Sequence, residues 1–70
     1  MMSSEERKVL SYLRQHLMAS VGDVARACVP GASHEWTARI LWNLEWLGYV
    51  VCYGSEAVQI TENGLRRATG

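Results

Sequence analysis

Val9, Leu10, Leu13 and Leu17 recur at three- and four-residue steps, with Arg7, Lys8, Arg14 and Gln15 lying off their stripe. That spacing predicts one amphipathic helix, over residues 4–17. Ser3 and Glu6 stand before it at capping-box spacing, and Glu5 and Glu6 suit the positive end of the helix dipole. Ser20 and Asp23 repeat the arrangement ahead of Val21, Val24, Ala25 and Cys28, which predict a short helix over residues 21–28. Val29-Pro30-Gly31-Ala32 ends it, because proline has no amide to donate and glycine invites a turn. Ser33 begins a third helix running to Leu47. Trp36, Thr37, Ile40, Leu44 and Leu47 share its predicted core face, while Glu35, Ala38, Arg39, Trp42 and Trp46 project the other way. Gly48 takes the usual glycine position past the last helical turn.

The periodicity then changes. Tyr49 to Tyr53 is β-branched and aromatic, Gly54-Ser55-Glu56 is a turn, and Ala57 to Ile60 returns as a second strand. Thr61 caps a last helical turn through Arg66, and the stretch from Arg67 to Gly70 is expected to fray. A two-stranded hairpin is not stable alone in water, so it must fold back on the helices. The expected fold class is α+β: three helices around one core, a short antiparallel hairpin and a C-terminal helical turn, as one domain spanning residues 1–70. Helices 2 and 3, joined by the Pro-Gly turn, have the order of a helix-turn-helix.

Three segments resemble a known family. Leu44-Glu45-Trp46-Leu47-Gly48-Tyr49-Val50 resembles the passage from recognition helix to wing in winged helix-turn-helix domains. Ile60-Thr61-Glu62-Asn63-Gly64 is similar to the Leu-Thr-x-x-Gly step after the wing in MarR-like and PadR-like bacterial regulators, and Val21-x-x-Val24-Ala25 fits helix 2 of the same domains. The resemblance covers about residues 5–68. It implies that helix 3 enters the major groove of double-stranded DNA, with Ser33, His34, Glu35, Thr37, Ala38 and Arg39 at the reading positions. Arg39 would place its fork on guanine. Ser33 and His34 would meet phosphate at the helix start, and Arg26, Arg7 and Lys8 would add backbone contacts.

Charge complicates that expectation. Seven Lys+Arg balance seven Asp+Glu in 70 residues, so there is no bulk attraction for phosphate. The turn Gly54-Ser55-Glu56 carries no cation. Four phosphate contacts from Arg7, Lys8, Arg26 and Arg39 would give a salt slope of at most about −3.6 per monomer. Neutrality therefore predicts weak, helix-led binding.

Three tryptophans in one helix open a second reading. Trp42 and Trp46 lie opposite the predicted core stripe. Either the hairpin or terminal turn covers them, or they form a homodimer or protein-partner interface; packing against bases or sugars is a third use. The expected function is a small DNA-binding transcriptional regulator, and the alternative is a winged-helix protein-interaction module using the Trp42/Trp46 face. An enzyme is not expected, because no nucleophile–base arrangement, paired carboxylates or Gly-rich phosphate loop is present. A chain of this length is also expected to struggle to form a ligand pocket of ~300 Å³, so no cofactor and no small-molecule ligand are expected. Cys28 and Cys52 form no C-x-x-C. They read as small buried hydrophobes, with a metal site including His34 or a disulfide as the lesser alternatives. With no apolar run long enough to span a bilayer and no signal-peptide pattern, a cytoplasmic protein is expected.

Overall fold

The computed structural model describes residues 2–54 and 56–69. Its order is α1 (Ser4–Gln15), α2 (Val21–Cys28), α3 (His34–Trp46), β1 (Val50–Tyr53), β2 (Ala57–Ile60) and α4 (Glu62–Thr69). Local chemistry sets the helix starts. The Ser3 hydroxyl accepts from the Glu6 amide at 3.2 Å while the Glu6 carboxylate accepts from the Ser3 amide at 2.8 Å. Ser20 and Asp23 make the same reciprocal pair at 3.0 and 3.2 Å. Ser33 accepts from Trp36 at 3.1 Å. Each cap satisfies amides that the first helical turn leaves without partners.

The helix ends are equally local. The Gly48 amide donates to Glu45 O and the Tyr49 amide to Leu44 O, both at 2.9 Å. This is a Schellman closure, and Gly48 supplies the left-handed residue it needs, at φ 83°. Helix α1 stops at Gln15, two residues short of the expected end. His16 leaves helical geometry as the C-cap, its ring stacked on Tyr12 with centroids 4.2 Å apart. Leu17, expected on the core stripe, is therefore 64% exposed.

The core is built from Val9, Leu10 and Leu13 of α1, Val21, Val24 and Cys28 of α2, and Ile40, Leu41 and Leu44 of α3. Val50 and Val58 close it from the hairpin. On α3 the buried arc is rotated from the expected one. Leu41 is buried, whereas Trp36 and Leu47 are 45% and 50% exposed. Helix α3 has apolar residues around most of its circumference, so its own pattern does not fix which arc packs. The contacts from α1, α2 and β1 decide it.

Strands β1 and β2 pair antiparallel, with Val50 opposite Ile60 and Tyr53 opposite Ala57. A feature absent from the sequence reading joins them. Ala19, in the α1–α2 connection, bridges Val58 on the other edge of β2. The Val58 amide donates to Ala19 O at 2.6 Å and the Ala19 amide to Val58 O at 3.3 Å. The hairpin is thereby fixed to the helical half through its second strand.

Helix α4 is a full helix to Thr69 rather than one turn that frays after Arg66. Thr61 anchors its start: its hydroxyl donates to Gly48 O at 2.6 Å and accepts from the Gly64 amide at 3.1 Å. The Thr61 amide donates to Tyr49 O at 2.9 Å. Gly64 is buried against the Tyr49 backbone, where a Cβ would overlap Tyr49 O and lie 2.7 Å from Ile60 Cγ1. The glycine of the Ile60–Gly64 motif thus permits a close approach of α4 to the chain leaving α3.

Candidate nucleic-acid interface

Helix α3 lies on α1, α2 and β1 through Thr37, Ile40, Leu41 and Leu44. Its remaining arc bears Glu35, Ala38, Arg39, Trp42, Glu45 and Trp46. Of the expected reading residues, Ser33, His34, Glu35 and Arg39 are exposed and Ala38 is half-buried. Thr37 is not available for reading. It is fully buried, and its hydroxyl donates back to Ser33 O at 3.3 Å. Buried hydroxyls need such a partner, and the preceding helical turn supplies it.

Trp42 and Trp46 are 70% and 89% exposed. Neither hairpin nor α4 covers them. Trp36 instead donates from Nε1 to Glu5 at 3.3 Å. Together with Ser3, Glu5, Glu6, Arg39 and Trp42 it lines a groove of ≈ 610 Å³ between the start of α1 and α3. This groove is larger than a chain of this length was expected to form, but it is open to solvent. A smaller hollow of ≈ 170 Å³ sits between His34, Ala38, Trp42 and the hairpin residues Cys52 and Gly54.

The cations expected to contact DNA border four different hollows of the surface. Arg7 lines a groove with Arg67 and Ala68 of α4. Lys8 lines another with Ala27 and Cys28 of α2. Arg26 borders the hollow at the α2–α3 turn, but its guanidinium reaches back along α2 to Asp23 in the helix's first turn, at 2.7 Å. Arg39 lines the same groove as Glu5 and Glu6 at the start of α1. Asp23 is held below the usual carboxylate range, first by the Ser20 amide and hydroxyl and then by Arg26. Glu45 accepts from the Cys52 amide at 3.0 Å, tying the end of α3 to β1.

Both thiols are free: Cys28 is buried and Cys52 half-buried. Burial pushes the Cys28 thiol up, opposed by Lys8. Burial and then the Glu45 carboxylate push up that of Cys52. Neither belongs to a group of three or more potential metal ligands among the described residues.

The whole arrangement recurs in a solved protein. The crystal structure of MepR, a transcription regulator of the Staphylococcus aureus multidrug efflux pump MepA, matches with a TM-score of 0.80 across 97% of this chain, at 20% identity. The fold is a winged helix. In this fold α2 and α3 form the helix-turn-helix and the β1–β2 hairpin is the wing, as the Leu44–Val50 and Ile60–Gly64 segments implied. The chain spans 53% of the MepR chain. No protein-family model and no curated protein sequence matches it. No helix among the described residues is long and apolar enough to cross a membrane.

Proposed function

We propose that this winged helix is a DNA-binding domain of a transcription regulator, reading double-stranded DNA with α3. The observation that carries the reading is the match of nearly the whole chain to MepR, whose described function is transcription regulation. In this reading Arg39 forks onto guanine and Ala38 packs beside a thymine methyl. Ser33, His34 and the free amides at the start of α3 take a phosphate. Arg26 and Lys8 add backbone contacts. Arg26, Lys8 and Arg7 are the residues proposed for these contacts, Arg7 lining a hollow with Arg67 and Ala68 of α4.

The wing contributes little cationic attraction, since its turn holds Glu56 and no Lys or Arg. Binding is therefore weak and salt-sensitive, with a slope no steeper than about −3.6 per monomer. Fluorescence anisotropy on mixed-sequence duplexes and selected sites at ~50 mM salt tests the proposal. Replacing Arg39 with Ala is expected to weaken a specific site by ~5- to 150-fold, the equivalent of ~1–3 kcal/mol. Absence of binding at that salt, or an Arg39→Ala variant that binds as wild type, overturns it.

A second reading is favoured by one observation, the exposure of Trp42 and Trp46. Two bare indoles on one helix face have the composition of a protein contact.

A further inference from the structure

We infer that the hollow between α1 and α4 binds a small organic phosphate, with Arg7 and Arg67 holding the phosphate group. The inference goes beyond the DNA reading and does not rest on it.

Met2, Arg7, Leu10 and Ser11 on one side and Arg67 and Ala68 on the other line a space of ≈ 350 Å³. That volume lies within the ~300–1,000 Å³ of small-ligand sites. Helical spacing explains part of the convergence. Arg7 and Ser11 are one turn apart on α1, so they share a face, and α4 packs alongside with Arg67 and Ala68. The hollow thus has a polar and an apolar part. Two guanidiniums and one hydroxyl supply hydrogen-bond donors, and no carboxylate is among the lining side chains. Leu10 is fully buried, and Met2 and Ala68 pack half-buried against the core.

The carboxylates of these two helices are engaged elsewhere. Glu6 closes the α1 cap with Ser3, and Glu5 accepts from Trp36 of α3. Glu62 pairs with Arg66 at 3.5 Å. Among the described residues, neither Arg7 nor Arg67 takes part in an ion pair. Two like charges bordering one hollow repel each other, and an anion between them removes that repulsion. Guanidinium forks bind phosphate oxygens two at a time, and the Ser11 hydroxyl can donate one bond more. The balance of charge points the same way. Helices α1 and α4 carry five of the seven cations against three carboxylates, whereas α3 and the wing carry Arg39 against Glu35, Glu45 and Glu56. Zero net charge therefore conceals a basic α1–α4 side. A phosphomonoester, with up to two charges and an organic body to lie on Leu10, Met2 and Ala68, uses both parts of the hollow. A duplex backbone offers one charge per phosphate and no apolar body.

Amide chemical shifts of the protein, titrated with inorganic phosphate and with phenyl phosphate at constant ionic strength, test the site. The expected result is saturable shifts centred on residues 7–11 and 67–68, with phenyl phosphate the tighter ligand. Arg7→Gln and Arg67→Gln are each expected to weaken phenyl phosphate by at least ~10-fold. Arg14→Gln, on α1 but outside the hollow, is expected to bind as wild type. These side chains are exposed, and circular dichroism checks that each variant is folded. Drift without saturation overturns the inference, as does a loss in Arg14→Gln equal to that in Arg67→Gln, which marks diffuse attraction only. Equal affinity for the two ligands overturns the role of the apolar floor. Arg7 also stands among the proposed DNA contacts but Arg67 does not, so Arg67→Gln separates the two sources of phosphate. It is expected to leave duplex binding unchanged. A matching loss of duplex binding assigns the hollow to the DNA backbone and overturns the inference. A wild type that takes phenyl phosphate but binds no duplex sinks the DNA reading alone.

Discussion

Replacing Gly64 with Ala is expected to destabilise the domain, although Ala is the better helix former. The propensity gain within α4 is about 1 kcal/mol. Against it stands the Tyr49 backbone, since the added Cβ would overlap Tyr49 O and sit 2.7 Å from Ile60 Cγ1 and 3.0 Å from Tyr49 C. Carbon–carbon contacts are comfortable at ~3.5–4.0 Å, so α4 must retreat by about 1 Å. The Tyr49 segment cannot yield instead, because it holds the Schellman closure of α3 and accepts from the Thr61 amide. Retreat strains the two Thr61 bonds to Tyr49 O and Gly48 O, each worth about 1 kcal/mol. Overpacking adds a further ~1–3 kcal/mol. The net cost is about 2–4 kcal/mol, a large share of the ~4–10 kcal/mol available to a domain this size. At ~4–8 °C per kcal/mol, the midpoint of thermal unfolding drops by at least ~8 °C. Circular dichroism at 222 nm against temperature, with a urea titration beside it, measures the change. Gly48→Ala is the internal comparison. Gly48 has positive φ but open space around its Cβ position, so only conformational strain of ~1–2 kcal/mol acts there. A Gly64→Ala protein as stable as wild type, or less perturbed than Gly48→Ala, refutes the close approach.

Further outcomes follow from the packing and the caps. Leu44→Ala, at a fully buried position of α3, is expected to cost ~2–5 kcal/mol in urea unfolding; a loss under 1 kcal/mol contradicts the burial. Ser20→Ala removes the α2 capping pair and is expected to cost ~1 kcal/mol by the same assay. Because Asp23 has a lowered pKa when folded, its contribution is present above the ordinary carboxylate pKa and fades as pH falls through the folded value. Asp23→Asn should flatten the acid limb of a stability–pH curve, and an unchanged limb refutes the assignment. Both thiols are pushed up, so alkylation at neutral pH should be slower than for a free cysteine. Cys28 should be the slower of the two because it is buried, while Cys52 is only partly so; equal rates in the folded and urea-unfolded protein count against this.

The sequence was most legible where the determining interactions are local. Ser3, Ser20 and Ser33 mark the true helix starts, because a cap bonds within three residues of itself. The glycine past α3 and the two strands are similarly local signals. The phase of α3 was legible only in part. Thr37, Ile40 and Leu44 pack inward as expected, but Trp36 and Leu47 do not and Leu41 does. With apolar side chains nearly all round, that helix takes its orientation from its neighbours. The Thr37 hydroxyl shows the same limit from the functional side. Thr37 was expected both on the core face and among the reading residues, and burial decides for the first, with its hydroxyl bonded to the Ser33 carbonyl one turn back. The Ala19–Val58 bridge left no trace in the pattern, since one residue of extended pairing is too short for any periodicity.

That bridge has a consequence for how the chain assembles. Ala19 and Val58 are separated by all of α2, α3 and β1, so their pairing closes the longest hydrogen-bonded loop of the wing. Contacts so distant along a chain pay their closure entropy before they stabilise anything, and they set the pace of folding. The capped helices are therefore expected to form before the Ala19–Val58 bridge closes. In native-state hydrogen exchange the amides of Ala19 and Val58 should then open together, as a single unit spanning both ends of the domain.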